Sequence, residues 1–229
     1  LTKSVDPEGH ETRTAYNEQL WKTSDTAENG SADVVTEYVY DADGRMLTYR
    51  AKNSSTGDQE TIYAYDKLSR VVTTTWPDAG KHIYTYDKAS NRISSTDPNG
   101  TVSVASYDDN SRLTAKALSL ASGIVGATSL AYGYDGLDRM TSADSVEASW
   151  SALIERTYNT LGKIETEKQI LDGYNSGNGR TITYDWDVEG QKTGVTYPVS
   201  GAVLAYTRDD LDRVDKISRG GTQVVDYTY

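Results

Sequence analysis

Few residues in this chain are equipped for chemistry. In 229 residues there are two imidazoles, His10 and His82, and no thiol. Without cysteine there is neither a disulfide frame nor a cysteine-ligated zinc site, and the redox compartment stays open. His82 precedes Tyr84 and Tyr86 at strand spacing, so it faces as they do and does not stand apart as a base. Serine and aspartate are plentiful, but no nucleophile elbow occurs. Asp185-Trp186-Asp187-Val188-Glu189-Gly190 mimics the opening of a calcium loop, yet Thr196 stands where the closing bidentate glutamate belongs. Carboxylate pairs such as Asp108-Asp109 and Asp209-Asp210 read as solvated turn tips. The sequence therefore predicts no enzyme, with no catalytic residue, cofactor or metal. What is left is stacking: Trp76, Trp150 and Trp186 are candidates for sugar rings, against the plainer reading that they pack a sheet or staple turns.

These residues sit in a repeat. Two tyrosines flank one residue, an aspartate follows, and a cation stands four or five places on. The fullest copies are Tyr38-Val39-Tyr40-Asp41 with Gly44-Arg45, Tyr63-Ala64-Tyr65-Asp66 with Arg70, Tyr84-Thr85-Tyr86-Asp87 with Arg92, and Tyr132-Gly133-Tyr134-Asp135 with Arg139. Looser copies hold Tyr107-Asp108 with Arg112, Tyr158-Asn159 with Gly162-Lys163, Tyr184-Asp185-Trp186-Asp187 with Gly190, and Tyr206-Thr207-Arg208-Asp209 with Arg213. The copies start at 41, 66, 87, 108, 135, 159, 187 and 209, so their spacing varies between 21 and 28 residues. Near-constant spacing marks an array, whose length is a copy number. Asn17 lies 24 residues before Asp41 and reads as a worn copy. Residue 1 is leucine and the chain stops at Tyr227-Thr228-Tyr229 as another copy begins, so a segment of a longer chain is expected.

Each copy parses as a hairpin. Residues two apart share a strand face, which puts Tyr38 and Tyr40 together and Val39 opposite. Asp41-Ala42-Asp43-Gly44 reads as a type I turn with a bulge, its left-handed place held by Gly44. Ser69, Ser111, Asp138, Gly162, Gly190 and Asp212 hold the equivalent place, and serine suits it less well, so some turns should differ. Second turns appear at Asp6-Pro7-Glu8-Gly9, Trp76-Pro77-Asp78-Ala79-Gly80, Asp97-Pro98-Asn99-Gly100 and Pro198-Val199-Ser200-Gly201, the last being the final turn expected. Residues 23–33 read as a loop around Asn29-Gly30, residues 140–156 leave room for a short helix, and residues 172–179 read as a flexible loop. The prediction is an all-β chain of tandem antiparallel β-hairpins, about 16 strands from eight copies, forming a continuous curved sheet. Residues 1–229 would form one array with partial terminal copies.

Composition agrees with a thin sheet. There are 18 Tyr and 4 Trp but no Phe, so every ring carries a polar handle and suits a surface wet at the ring tip. A formal net charge of -11 argues against nucleic acid and against anionic lipid. No apolar run is long enough to span a bilayer as a helix, and no signal peptide is visible.

The Tyr-x-Tyr-Asp…Arg motif resembles the YD-repeat, or Rhs-repeat, family over roughly residues 16–229. The resemblance implies part of a hollow shell, as in bacterial Rhs and Tc-toxin-like proteins, wall-associated proteins and teneurin-like shells. It implies a non-catalytic scaffold, secreted or at the bacterial cell surface, enclosing a C-terminal toxin or effector. The partners implied are the remainder of the same chain and that cargo, with self-association through edge strands. The alternative function is a carbohydrate-binding or adhesion module using exposed Tyr and Trp.

Overall fold

The computed structural model describes residues 2–28, 33–52, 57–172 and 179–229. The described chain is all-β. In order the strands are β1 (Thr2–Val5), β2 (Glu11–Tyr16), β3 (Lys22–Ala27), β4 (Val34–Tyr40), β5 (Met46–Ala51), β6 (Gln59–Tyr65), β7 (Val71–Thr75), β8 (Lys81–Tyr86), β9 (Arg92–Thr96) and β10 (Val102–Tyr107). They continue as β11 (Leu113–Ser119), β12 (Ser129–Tyr134), β13 (Met140–Val146), β14 (Ser151–Tyr158), β15 (Ile164–Leu171), β16 (Arg180–Trp186), β17 (Lys192–Thr196), β18 (Val203–Arg208), β19 (Val214–Arg219) and β20 (Thr222–Asp226). The eight copies supply β4 to β19. The worn copy at Asn17 adds β2 and β3, and β1 and β20 flank the array.

The chain divides into two compact units, Leu1–Val104 with Ser119–Ser122, and Ala105–Leu118 with Gly123–Tyr229. In the first unit each strand from β1 to β8 pairs antiparallel with its successor, and β9 pairs with Val102–Val104 of β10. In the second, β11 to β20 form the same meander.

The turn after each Tyr-Asp strand is one structure used repeatedly. The Asp66 amide donates to the Arg70 carbonyl at 2.9 Å, and the Ser69 amide donates back to the Asp66 carbonyl at 3.1 Å. The third residue after the aspartate is left-handed throughout, with φ of 80° at Gly44, 61° at Ser69, 70° at Ser90, 61° at Ser111 and 63° at Asp138. A bulge precedes the turn, between Val39 and Tyr40, Ala64 and Tyr65, and Thr85 and Tyr86, and likewise in later copies. The expectation that serine turns would differ is thus corrected. The aspartate side chain enforces the conformation: Oδ1 of Asp66 accepts from the amides of Leu68 at 2.8 Å and Arg70 at 3.0 Å.

The second turns at Asp6, Trp76 and Asp97 share this backbone, with left-handed Gly9, Ala79 and Gly100. Ala79 has φ of 66° and its methyl makes no polar contact to compensate. Ala79→Gly should therefore stabilise the chain by about 0.5–1 kcal/mol. A denaturation midpoint that stays put or falls would refute the strain.

Three further expectations are corrected. Residues 22–27 form β3 and are not loop: Thr14 Oγ1 donates to Asp25 Oδ1 at 2.7 Å and the Tyr38 hydroxyl donates to Asp25 Oδ2 at 3.1 Å, so polar cross-strand partners replace the apolar alternation that would mark a strand. Residues 140–158 form a hairpin of β13 and β14, with Trp150 in its turn, and contain no helix. The turn at 198–201 is not the last, because Gly220 and Gly221, with φ of 56° and 82°, close a tight hairpin between β19 and β20. Asn29-Gly30 and most of 172–179 lie outside the described residues.

Burial is shallow. Among the described residues Val195 is the one buried apolar side chain, at 5% exposure, beside the buried polar Thr61, Thr74 and Ser103. Stability must come from strand pairing and from the side chains that link one copy to the next.

Candidate functional site: a tyrosine–arginine ladder

The copies are joined by a ladder of side chains. In the first unit Arg70 Nε and Nη2 both lie 2.7 Å from Asp66 Oδ2, within its own turn. Its Nη1 reaches forward to the next copy, donating to the Asp87 carbonyl at 3.0 Å and to Ser90 Oγ at 3.1 Å. The guanidinium lies over the Tyr86 ring at 4.6 Å, and the Tyr86 hydroxyl donates back to the Val71 carbonyl at 2.8 Å. One arginine thus clamps its own turn, caps the next turn and covers the next tyrosine.

The rung recurs. Arg45 holds Asp41, reaches the Asp66 carbonyl and Ser69, and covers Tyr65, whose hydroxyl donates to Met46 O. In the second unit Arg112 holds Asp108, reaches the Asp135 carbonyl and Asp138, and covers Tyr134, which donates to Leu113 O. Arg139 holds Asp135 and covers Tyr158, which donates to Met140 O. Arg213 holds Asp209 and covers Tyr229, which donates to Val214 O.

Departures from the motif keep the same geometry with other atoms. Trp21 fills the arginine place of the worn copy and packs on Tyr40 at 5.7 Å. Trp186 replaces the second tyrosine, and its Nε1 donates to Ile164 O at 2.8 Å. Arg208 does the same toward Lys192 O at 3.1 Å. In the Asp87 copy the fourth place is Asn91, whose Nδ2 donates to Asp87 Oδ2 at 2.9 Å, while Arg92 lies over Tyr84 of its own copy. The first tyrosines serve locally: Tyr38 donates to Asp25 Oδ2 and meets Tyr49 edge-on, and Tyr84 stacks on His82. Tyr63 and Tyr132 are half-buried in their strands, and Tyr206 lines an acidic groove with Asp187, Asp209 and Asp212.

The carboxyls of Asp66, Asp108 and Asp209 sit below an ordinary aspartate's 3.8. At Asp108 and Asp209 the arginine side chain is the main cause and its backbone amide the second; at Asp66 the Arg70 amide leads. A depressed folded value means the stabilisation is present above the unfolded value and is lost as pH falls through the folded one. Melting temperature should therefore be level near neutrality and fall below about pH 4. Replacing Asp66 and Asp108 by asparagine should flatten that acid limb; an unchanged limb would show that the loss arises elsewhere.

Trp76 lies in the first unit, and Trp150 and Trp186 lie in the second. Trp76, 40% exposed, donates its Nε1 to His82 Nδ1 at 2.8 Å, and Trp150 is 41% exposed in the β13–β14 turn. Trp186 is half-buried within the ladder. In the calcium-like stretch Asp187 holds its turn through Gln191 N–H, and Asp185 packs against Gly194 of the adjacent strand. A groove of about 540 Å³ walled by Ile182, Tyr197, Val199 and Leu204 touches no ladder residue. The capping of the next copy's turn by each arginine was not read from the sequence.

No protein-family model and no curated protein matches the chain. Among solved structures it is similar to a chain of the TcdB2-TccC3-Cdc42 crystal structure, at 13% identity over 98% of this chain and 15% of that one, with TM-score 0.45. It is similar to a chain of the Photorhabdus luminescens Tc holotoxin pore, at 13% identity over 95% of this chain and 14% of that one, with TM-score 0.40. A porin-like protein from Bacteroides uniformis is similar at 12% identity over 92% of this chain and 93% of that one, with TM-score 0.36. The chain spans about a seventh of the two toxin-complex chains.

Proposed function

We propose that this chain is a non-catalytic wall segment of a YD-repeat shell, secreted or at the bacterial surface, surrounding a toxin or effector carried on the same polypeptide. The observation behind this reading is the ladder. Recurrent tyrosine, aspartate and arginine side chains are committed to one another from copy to copy, which suits a structural wall better than a binding face or a reaction centre. His82, on β8, accepts a hydrogen bond from Trp76 and stacks on Tyr84, a setting that suits a strand residue. The test is protease resistance of the remaining polypeptide in the intact protein that contains this segment. Enclosure predicts that a cargo region resists proteolysis until ladder arginines are replaced by alanine. Cargo digested equally fast before and after would overturn the reading.

A further inference from the structure

One junction of the array lacks the balance of charge found in the complete rungs. Arg45, Arg70, Arg112, Arg139 and Arg213 are each neutralised by an aspartate four residues earlier. At Lys163 that place is Asn159, whose Oδ1 still holds the turn through the amides of Leu161 and Lys163, both at 3.0 Å. The turn survives and the counter-charge does not. In the next copy Asp187 is followed at the fourth place by Gln191, and a second cation, Lys192, lies over Tyr184 at 4.8 Å and Trp186 at 5.4 Å. Lys163 Nζ stands 5.7 Å from the Trp186 ring. Among the described residues neither ammonium has a carboxylate within ion-pairing distance.

Lysine is slimmer than the guanidinium it replaces, and here the rung opens into a cleft of about 480 Å³ lined by Lys163, Ile164, Tyr184, Trp186 and Lys192. That size falls in the usual range for small ligands. Apolar ring surface suits the C–H face of a sugar, and an ammonium group without an ion-pair partner suits a carboxylate. Asp187, Glu189, Asp209 and Asp212 line the neighbouring groove, so an extended polyanion would meet repulsion just outside. We propose that this cleft binds a short acidic saccharide, a hexuronate whose carboxylate meets the ammonium of Lys163 or Lys192. The site belongs to this junction alone and stands independently of the shell reading.

The probe is methyl β-glucuronide, titrated against the full chain by tryptophan fluorescence and saturation-transfer NMR. Binding at about 1 mM or tighter is expected, with the uncharged methyl β-glucoside at least about tenfold weaker. Lys163→Gln with Lys192→Gln should weaken the glucuronide by about tenfold or more while leaving the melting temperature nearly unchanged. Asn159→Asp provides a second route, since it restores the missing carboxylate in the turn. It should raise the melting temperature and also weaken glucuronide binding. Equal binding of glucoside and glucuronide, equal binding of N-acetylglutamate amide, undiminished binding by the double lysine variant or Asn159→Asp, or no binding at all would each overturn the assignment.

Discussion

Arg70→Ala is expected to lower the unfolding free energy by about 2–3 kcal/mol, and the melting temperature by roughly 5–10 °C for a chain of this size. The substitution removes the paired bonds to Asp66, the two forward bonds to the Asp87 carbonyl and Ser90, and the cover on Tyr86. An exposed ion pair alone would be worth little. This guanidinium is 21% exposed, bonded on three sides and stacked, so its loss exceeds that of a surface pair. Arg70→Lys keeps the charge but cannot serve Asp66, the Asp87 carbonyl and Ser90 together, and should recover less than half of the loss. Hydrogen exchange should rise most at the turns after β6 and β8, because an array loses stability first at the damaged junction. A lysine variant as stable as the native chain would reduce the ladder to ordinary surface electrostatics. Arg70→Ala should cost less in a Tyr86→Phe background than in the native chain, since both changes break the same link.

The hairpin array could be read from the sequence because its signals are local. Tyr-x-Tyr at strand spacing, aspartate at a turn start and glycine at a left-handed place act within about ten residues of one another, and the structure repeats that unit. Less legible were the elements whose partners lie one copy away. β3 has a polar strand pattern that makes sense only beside Thr14 and Tyr38, which reach Asp25 from the flanking strands. The hairpin of β13 and β14 lacks the turn residues that mark the others, so residues 140–156 left room for a helix. Serine at 69 and 111 looked a poor left-handed residue when judged alone. At positions 69 and 90 its hydroxyl receives the preceding copy's arginine, a constraint that no local propensity carries. The cleft beside Trp186 was equally hidden, because its chemistry comes from a carboxylate that Asn159 lacks.

The same pairing across copies governs the second large effect. Gly44→Val should cost about 3–4 kcal/mol and lower the melting temperature by roughly 10 °C. Gly44 has φ of 80°, where a β-branched side chain is strained, and a Cβ there would lie 2.9 Å from Cζ2 of Trp21. The indole cannot give way freely, because it is packed on Tyr40. Gly162→Val separates the two contributions: φ is 74°, but the nearest atom, Arg139 Nη1, lies 3.9 Å away, so mainly the backbone cost of about 1–2 kcal/mol remains. Equal losses at the two sites would mean that the indole contact contributes nothing. The bulk of the cation-place residue thus limits the left-handed residue that follows it: Trp21 requires Gly44, whereas Arg45 accepts Ser69 and Arg112 accepts Asp138. Converting the Trp21 junction into the Arg45 kind should therefore work only as a pair. Gly44→Ser alone should destabilise, and Gly44→Ser with Trp21→Arg should recover at least about 1 kcal/mol of that loss, a coupling that additive surface substitutions would not produce.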